Sequence, residues 1–253
     1  MSDRERIDKL LVDGGFAETR TRAQALVMSG VVLVDEKRVE KSSEKFETHA
    51  TIRLKGASSD LRYVGRGGLK LEAALQAFGI DPAGLLCLDI GASTGGFTDC
   101  LLQNGAKSVT AIDSGTNQLV WSLRNDPRVE VREQTNARDL GPEDFATPFD
   151  LAVMDVSFIS VTKVIPAVID LLRPTATLIV LIKPQFEVGR GEVGKGGIVR
   201  DPAQHQRVIH EITQFVENVG LAARGLIESP ILGAEGNKEF LGFYEKRGCR
   251  PAD

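Results

Sequence analysis

The stretch from Leu85 to Phe97, LLCLDIGASTGGF, limits the possible folds of this chain more than any other segment. It opens with an apolar run that ends at Asp89, continues through glycines and other small residues, and leads directly into an amphipathic segment, 97–103. This order predicts a buried parallel strand, a tight glycine turn and the start of a helix. Because open α/β sheets bind ligands at the carboxyl ends of their strands, we expect a ligand to lie against the bare backbone of the turn.

A second strand, 108–113, is predicted after this turn, and it ends in an acid, Asp113, 22 positions beyond Gly91. In nucleoside-binding α/β folds, an acid at this place accepts hydrogen bonds from the ribose hydroxyls. The glycine spacing differs from G-x-G-x-x-G, which disfavours a dinucleotide site. The alternative is a plain strand-to-helix turn, with Asp113 only capping the next turn.

The acid before the turn and the small residues through it resemble the first motif of class I S-adenosylmethionine-dependent methyltransferases. This resemblance implies S-adenosylmethionine as the cofactor, with adenine near Asn136 at the end of a weaker strand, 129–132. The cofactor-binding residues expected on this basis are Asp89, Gly91, Ser93, Gly95, Gly96, Asp113, Asn136 and Asp155.

The remaining pattern of the large domain is that of alternating strands and helices. Helices are predicted at 69–78, 161–172 and 202–219, and strands at 149–155, 176–182, 221–229 and 239–245. Pro166 is expected to bend the second helix or to mark its true start. The last segment alternates polar and apolar residues, as an edge strand does. Five parallel strands with intervening helices, closed by a late hairpin pair, indicate an α/β fold with a Rossmann-like methyltransferase sheet.

The glycine-rich loop Gly189–Gly197 partly matches two nucleotide motifs. The surrounding sequence excludes both motifs. Gly196 stands where a P-loop needs Ser or Thr, and no strand is predicted directly before the loop. We therefore predict a mobile lid over the site. His205 and His210 are five positions apart, which is wrong for a shared metal face, and the three cysteines show no paired spacing, so no metal site is expected.

The N-terminal residues predict a separate small domain. Helices are expected at 4–13 and 22–29, the second capped by Thr19 or Thr21, and strands at 31–34, 38–39 and 51–54. This pattern resembles the S4-type (S-four) RNA-binding domain. The residues that carry the resemblance are Arg6, Asp8, Leu10, Thr21, Arg22, Ala25 and the run Gly30–Val34.

Basic residues of this small domain, and of the segment after it, are the predicted RNA contacts. They are Arg6, Lys9, Arg20, Arg22, Lys37, Arg38, Arg62 and Arg66, and a solvated surface of balanced charge is the alternative. Small polar residues at Gly56–Asp60 mark the boundary. The predicted organisation is an S4-like domain at 1–58, a linker at 59–65 and a methyltransferase domain at 66–253.

Four residues are expected to converge at the strand ends: Lys70 on the helix before the first strand, Asp155, Lys183, and Glu239 on the last strand. Here the chain resembles the TlyA family of hemolysin-A-like rRNA 2′-O-methyltransferases, which are related to FtsJ-type enzymes; Tyr63 stands where some members have tryptophan. The matching stretches are Arg62–Glu72, Asp89–Phe97, Met154–Ser160, Lys183–Phe186, Gly196–Asp201 and Asn237–Phe240.

The resemblance implies a Lys-Asp-Lys-Glu catalytic set at Lys70, Asp155, Lys183 and Glu239. A ribose hydroxyl is a poor nucleophile until its proton is withdrawn, and a lysine withdraws it only as a neutral amine, which burial and a second cation favour. Lys183 is the expected base, Asp155 orients it, Lys70 positions the ribose or its phosphate, and Glu239 holds a lysine. The methyl donor is itself electrophilic, so no metal is required.

Composition restricts the cellular setting. Charged residues make up 26% of the 253-residue chain, its net charge is −4, and neither a bilayer-spanning run nor a signal-peptide core is present, so we expect a cytoplasmic protein. The family resemblance implies that it acts on ribosomal RNA or ribosomal subunits. Two alternatives stay open: an RNA-binding protein with an inactive methyltransferase fold, and a membrane-active hemolysin.

Overall fold

The computed structural model describes residues 4–54 and 62–246, apart from 15, 18, 29, 36, 49, 51, 190, 234 and 235. The chain divides into two compact units, Met1–Leu61 and Arg62–Asp253. The linker predicted at 59–65 falls partly outside the described residues, so its bounds stay a prediction. Among the described residues, no helix combines the length and the apolarity that crossing a bilayer requires.

The first unit places two helices beside short antiparallel strands. One pair is β1 with β4, and a three-stranded sheet has the order β3-β2-β5. The elements are β1 (Arg4–Arg6), α1 (Ile7–Asp13), α2 (Arg20–Met28), β2 (Val32–Val34), β3 (Lys37–Arg38), β4 (Lys45–Glu47) and β5 (Ile52–Leu54).

The core of this unit comes from one face of each helix and from the central strand. Ile7 and Leu11, four residues apart on α1, pack with Ala23 and Val27 of α2. The prediction of a helix from residue 4 is wrong at its start, because residues 4–6 are extended and pair with residues 45–47. That pairing lies about 40 positions away along the chain, so local periodicity does not reveal it.

A buried carboxylate connects the two helices of the first unit. The Asp8 side chain is fully enclosed and accepts hydrogen bonds from Arg6 Nη2 at 2.7 Å, Arg20 Nε at 3.1 Å and Gln24 Nε2 at 3.1 Å. The hydrogen bond from Arg6, followed by those from Gln24 and Arg20, holds the pKa of Asp8 far below its usual range. Two of the predicted RNA-binding arginines are therefore held by Asp8.

We expect Asp8→Asn to lower the stability of the first unit by about 2 kcal/mol at neutral pH, because it removes the charge that the two arginines face. Folding depresses the pKa of Asp8. The stability that the ionised carboxylate contributes is therefore complete above its ordinary pKa, near 3.9, and is lost as the pH falls below that value. Hydrogen exchange of the α1 and α2 amides in the whole chain measures the difference. Asp13→Asn, at the exposed end of α1, is the control; equal protection in both variants would contradict the role of Asp8.

The second unit contains, in its described part, a seven-stranded sheet of order β11-β12-β10-β9-β6-β7-β8. Its strands are β6 (Leu86–Ile90), β7 (Ser108–Ile112), β8 (Val129–Arg132), β9 (Phe149–Met154), β10 (Leu172–Ile182), β11 (Leu221–Glu228) and β12 (Phe240–Lys246). Its helices are α3 (Gly67–Phe78), α4 (Gly96–Gln103), α5 (Trp121–Arg124), α6 (Ile165–Asp170), α7 (Pro184–Glu187) and α8 (Pro202–Asn218).

Strands β8, β7, β6, β9 and β10 run parallel, as predicted, while β12 is antiparallel to both β10 and β11. The prediction that the last strand lies at an edge is wrong, because β12 is inserted between two strands. Leu241 and Tyr244 are buried in core clusters on opposite faces of the sheet. The alternation of residues along β12 therefore occurs in a strand whose two faces are both covered. The edge strands of the sheet are β8 and β11.

The helix predicted at 161–172 is shorter than predicted, and Pro166 marks its true start, which was one of the two expectations for this proline. A single 3₁₀ turn, Val161–Lys163, precedes α6, and β10 already begins at Leu172. Pro166 lies in the first turn of α6, where its missing N–H leaves no hydrogen bond unmade. The helix is shortened because Leu172 pairs with Phe149 at the start of β9.

The core lies on both faces of the sheet. On one face, Ile165 of α6 and Val208 of α8 pack on Leu178, and on the other face Leu71 of α3 and Leu101 of α4 pack on Ile179. Helices on both faces leave the carboxyl ends of the parallel strands as an open edge, which is where open α/β sheets bind ligands.

Candidate active site

The glycine turn after β6 is shaped by a close contact with the end of β9. Gly91 has φ of +83°, and a Cβ at this position would lie 2.5 Å from the carbonyl oxygen of Asp155. The Asp155 N–H donates to the Ile90 oxygen at 2.8 Å, and the Gly91 N–H donates to the Ile112 oxygen at 2.8 Å. Only glycine combines this backbone angle with this approach, so the turn remains open toward a ligand.

A cavity of about 730 Å³ opens at these strand ends. Of the residues predicted to bind the cofactor, five line it: Gly91, Ser93, Asp113, Asn136 and Asp155. Asp113 accepts hydrogen bonds from the N–H groups of Ser93 at 2.8 Å and Gly115 at 2.7 Å, so its carboxylate is held at the cavity wall. The size suits a small-molecule ligand.

Three predicted cofactor residues, Asp89, Gly95 and Gly96, do not line this cavity. Asp89 is completely buried behind the turn, and its carboxylate accepts a hydrogen bond from Thr98 Oγ1 at 2.6 Å. Gly95, with φ of +98°, is the N-cap of α4, and a Cβ on Gly96 would lie 3.0 Å from the Gly68 nitrogen. These residues therefore shape the turn from behind.

Burial raises the pKa of Asp89 to about 7, with the charges of Asp155 and Asp113 adding to the shift and the Thr98 hydrogen bond opposing it. Because the folded-state pKa lies above the unfolded one, ionisation of this group removes stability as the pH rises from about 4 to about 7.

We expect Asp89→Asn to abolish this contribution, because an amide does not ionise. Between about pH 4 and pH 7, the free energy of unfolding of the wild type then falls by on the order of a few kcal/mol relative to that of the variant. Urea unfolding at several pH values measures the difference, with Asp81→Asn, before β6, as the control. A constant difference between the wild type and Asp89→Asn would show that the carboxyl titrates normally.

Lys183, which follows β10 directly, points its amine toward the end of β9. Its Nζ is 2.6 Å from Asp155 Oδ1 and donates to Ser157 Oγ at 2.7 Å. The side chain is 11% exposed, so the amine is largely removed from water. Asp155 and Ser157 both line the cavity, which places the amine beside it.

Lys70 forms a second buried ion pair, with Glu239 at the start of β12. The two side chains are 10% and 2% exposed. A buried lysine is tolerated because its partner is buried with it.

The two ion pairs lie at one edge of the sheet. Ile182 pairs with Phe240 in antiparallel register, so Lys183 and Glu239 are the next positions on adjacent strands, directly opposite each other. A Cβ on Gly67, at the start of α3, would lie 3.9 Å from Asp155 Oδ2. The structure therefore brings together the four residues that the resemblance implied.

The predicted RNA contacts fall into two groups. Arg6 and Arg20 pair with Asp8, Lys9 pairs with Glu5 at 2.7 Å, and Arg62 pairs with Glu72. The second group has exposed side chains. It consists of Arg22, Lys37 and Arg38 in the first unit and Arg66 in the second.

Two residues of this site were not singled out from the sequence: Ser157, through its bond to Lys183, and Phe158. The Phe158 side chain is 91% exposed although it borders the cavity, and its φ of +65° is uncommon for a bulky residue. The one available sequence signal is the position of these residues in VSFIS, directly after the strand that ends in Asp155.

Metal ligation has no structural support in the part of the chain that is described: no group of three or more His, Cys, Asp or Glu side chains there is placed to hold an ion. The buried His205 instead bonds the Val199 carbonyl through Nε2 at 2.9 Å and packs edge-on against Phe240.

The cavity fits an adenosyl group, since it combines a turn without side chains, an acid at the end of the second strand and an amide-bearing Asn136. Fold and site define a class I methyltransferase, whose methyl donor is S-adenosylmethionine. The model of the FtsJ-like methyltransferase family matches residues 63–246, and that of the S4 domain matches residues 5–52. The chain therefore belongs to the FtsJ-like methyltransferase family and carries an N-terminal S4 domain, which confirms the fold class and the resemblance predicted above.

Several proteins resemble the chain over nearly its whole length. The "Putative rRNA methyltransferase YqxC" of Bacillus subtilis is 48% identical over 95% of this chain and 85% of its own length. The "16S/23S rRNA (cytidine-2′-O)-methyltransferase TlyA" of Mycobacterium tuberculosis is 43% identical over 95% of this chain and 90% of its own. A solved structure, "Putative hemolysin from Streptococcus thermophilus", has a TM-score of 0.75 and 45% identity and covers 99% of this chain and 91% of that one.

Proposed function

We propose that this methyltransferase modifies the ribose 2′-hydroxyl of a cytidine in ribosomal RNA, with Lys183 as the base. The observation that carries the proposal is the buried Lys183 amine, held beside the cavity by Asp155 and Ser157. The rRNA methyltransferases among the relatives, several of them named cytidine-2′-O-methyltransferases, support the substrate. The S4 domain at residues 5–52 supports binding to RNA.

S-adenosylmethionine, when bound, supplies a methyl group activated by a sulfonium. The chain contributes the positions of the reacting groups. Asp113 and Asn136 would bind the nucleoside part, and Asp155, at the other side of the cavity, lies next to the base. Correct alignment of nucleophile and methyl group accounts for a large part of such a rate enhancement.

Lys183 donates one hydrogen bond, to Ser157, and Asp155 Oδ1 lies 2.6 Å from its Nζ. The base is the neutral amine, whose lone pair accepts the proton of the ribose hydroxyl. As the hydroxyl oxygen takes the methyl group, its proton would move to Nζ, and the methyl donor would leave as the neutral thioether S-adenosylhomocysteine. The carboxylate of Asp155 then stabilises the ammonium that results. Lys70, paired with Glu239, would position the ribose or its phosphate.

We expect Lys183→Ala to reduce methyl transfer by about 10²–10⁴-fold, the range that removal of a general base typically costs. Binding of S-adenosylmethionine stays near the wild-type value, since the lysine does not line the cofactor cavity. Tritium transfer to rRNA and calorimetric binding of the cofactor measure the two effects. Lys107→Ala, at an exposed position before β7, is the matched control. Wild-type transfer rates in Lys183→Ala would refute the assignment of the base.

The S4 unit should contribute affinity through its exposed cations. We expect the combined change Arg22→Ala, Lys37→Ala and Arg38→Ala to weaken rRNA binding and to reduce the salt slope by about one for each phosphate that is no longer neutralised. Filter binding at several salt concentrations measures both quantities. Arg224→Ala, on the edge strand β11, is the control. An unchanged salt slope would mean that other residues neutralise the RNA phosphates.

A further inference from the structure

A second cavity, of about 530 Å³, lies next to the cofactor cavity. Lys163, Gln185 and Phe186 line it, and Phe158 and Ile159 border both cavities. No residue of the predicted catalytic set lines the second cavity, so the reaction as described above leaves it without a function.

The Lys183 amine lies between the two cavities. Its partners Asp155 and Ser157 line the cofactor cavity, and its Nζ is 5.9 Å from the centre of the Phe186 ring, which lines the second one. In a nucleotide, the base is attached to the carbon next to the one that carries the 2′-hydroxyl. A hydroxyl at Nζ, with the methyl donor on one side, therefore leaves the second cavity, which adjoins the amine on the side of Phe186, as a space for the base.

The aromatic residues of the second cavity suit a base. The rings of Phe158 and Phe186 are 5.1 Å apart and inclined by 52°, and Phe158 is otherwise almost fully exposed. An apolar ring held in solvent, on a backbone with positive φ, gains contact area when a base stacks on it. Enzymes that act on a nucleotide commonly take it out of its stack and hold the base between apolar side chains.

Gln185 provides the polar contact in this cavity. Its Oε1 is enclosed by protein and has no hydrogen-bond partner. A buried acceptor without a donor is unfavourable, and the last torsion of a glutamine is broad, so a small rotation turns the amide oxygen toward a donor in the cavity. The exocyclic amine of a cytosine supplies such a donor, whereas uracil presents a carbonyl at the same place.

We propose that the second cavity binds the base of the methylated nucleotide, with Phe158 stacking on it and Gln185 accepting a hydrogen bond from its exocyclic amine. This inference rests on the proposed function and extends it, because it assigns the choice of base to residues outside the four catalytic ones. Lys163, exposed at the rim, is placed to meet an adjoining phosphate.

The test uses the full chain and rRNA transcripts. The nucleotide that the wild type methylates is mapped first, and transcripts are then made with C or U at that position. We expect the wild type to favour C over U by about tenfold to a hundredfold in kcat/KM. Equal rates on C and U would overturn the proposal.

Two substitutions of Gln185 test whether this residue distinguishes C from U. Gln185→Leu should lower kcat/KM on C by about tenfold or more and leave little preference between C and U, whereas Gln185→Glu, which retains an acceptor, should still favour C. Gln76→Leu, at an exposed position on α3, is the matched control. Calorimetric binding of S-adenosylhomocysteine should be unchanged in all three, which shows that they are folded.

The outcomes separate this inference from the proposed function. A Gln185→Leu enzyme that keeps the wild-type preference for C would overturn the role of Gln185 while methylation of the ribose stands. A wild-type chain that methylates neither transcript nor intact rRNA would overturn the proposed function, and the assignment of this cavity with it.

Discussion

The approach of the β6 end to the β9 end is the constraint on which the rest of the site depends. Gly91 and Asp155 come so close that no side chain fits between their backbones, and hydrogen bonds to Ile90 and Ile112 maintain the contact. It keeps the turn free of side chains on the ligand side. It also sets where the Asp155 carboxylate lies, and therefore where the Lys183 amine is held.

The two buried ion pairs have a structural consequence as well as a chemical one. Each pair joins elements far apart in the chain: Lys70 of α3 with Glu239 of β12, and Lys183 after β10 with Asp155 after β9. A charge removed from water is tolerated only with a partner, so each pair resists the separation of the elements that carry it. The free-energy cost of exposing or unpairing these charges therefore holds the four side chains of the proposed catalytic set in place.

Much of this fold was predictable because it is encoded locally. Apolar runs ending in Asp89, Asp113 and Asp155 indicated the parallel strands, and the glycine turn indicated where a ligand lies. The predictions that were wrong depended on distant pairing: residues 4–6 are extended because of residues 45–47, and β12 is an internal strand because β11 pairs beyond it. Alternating residues look the same in an edge strand and in a strand with both faces covered.

The sequence by itself determined the fold class, the place of the ligand turn and, through resemblance to a family, which four side chains belong together. Only the tertiary structure decided that Asp89 lies behind the turn, that Ser157 contacts the amine of Lys183 and that Phe158 stands between two cavities. Strand and turn patterns follow from interactions between near neighbours in the chain. Burial and the direction of a side chain follow from what packs against it, and those partners come from elsewhere in the sequence.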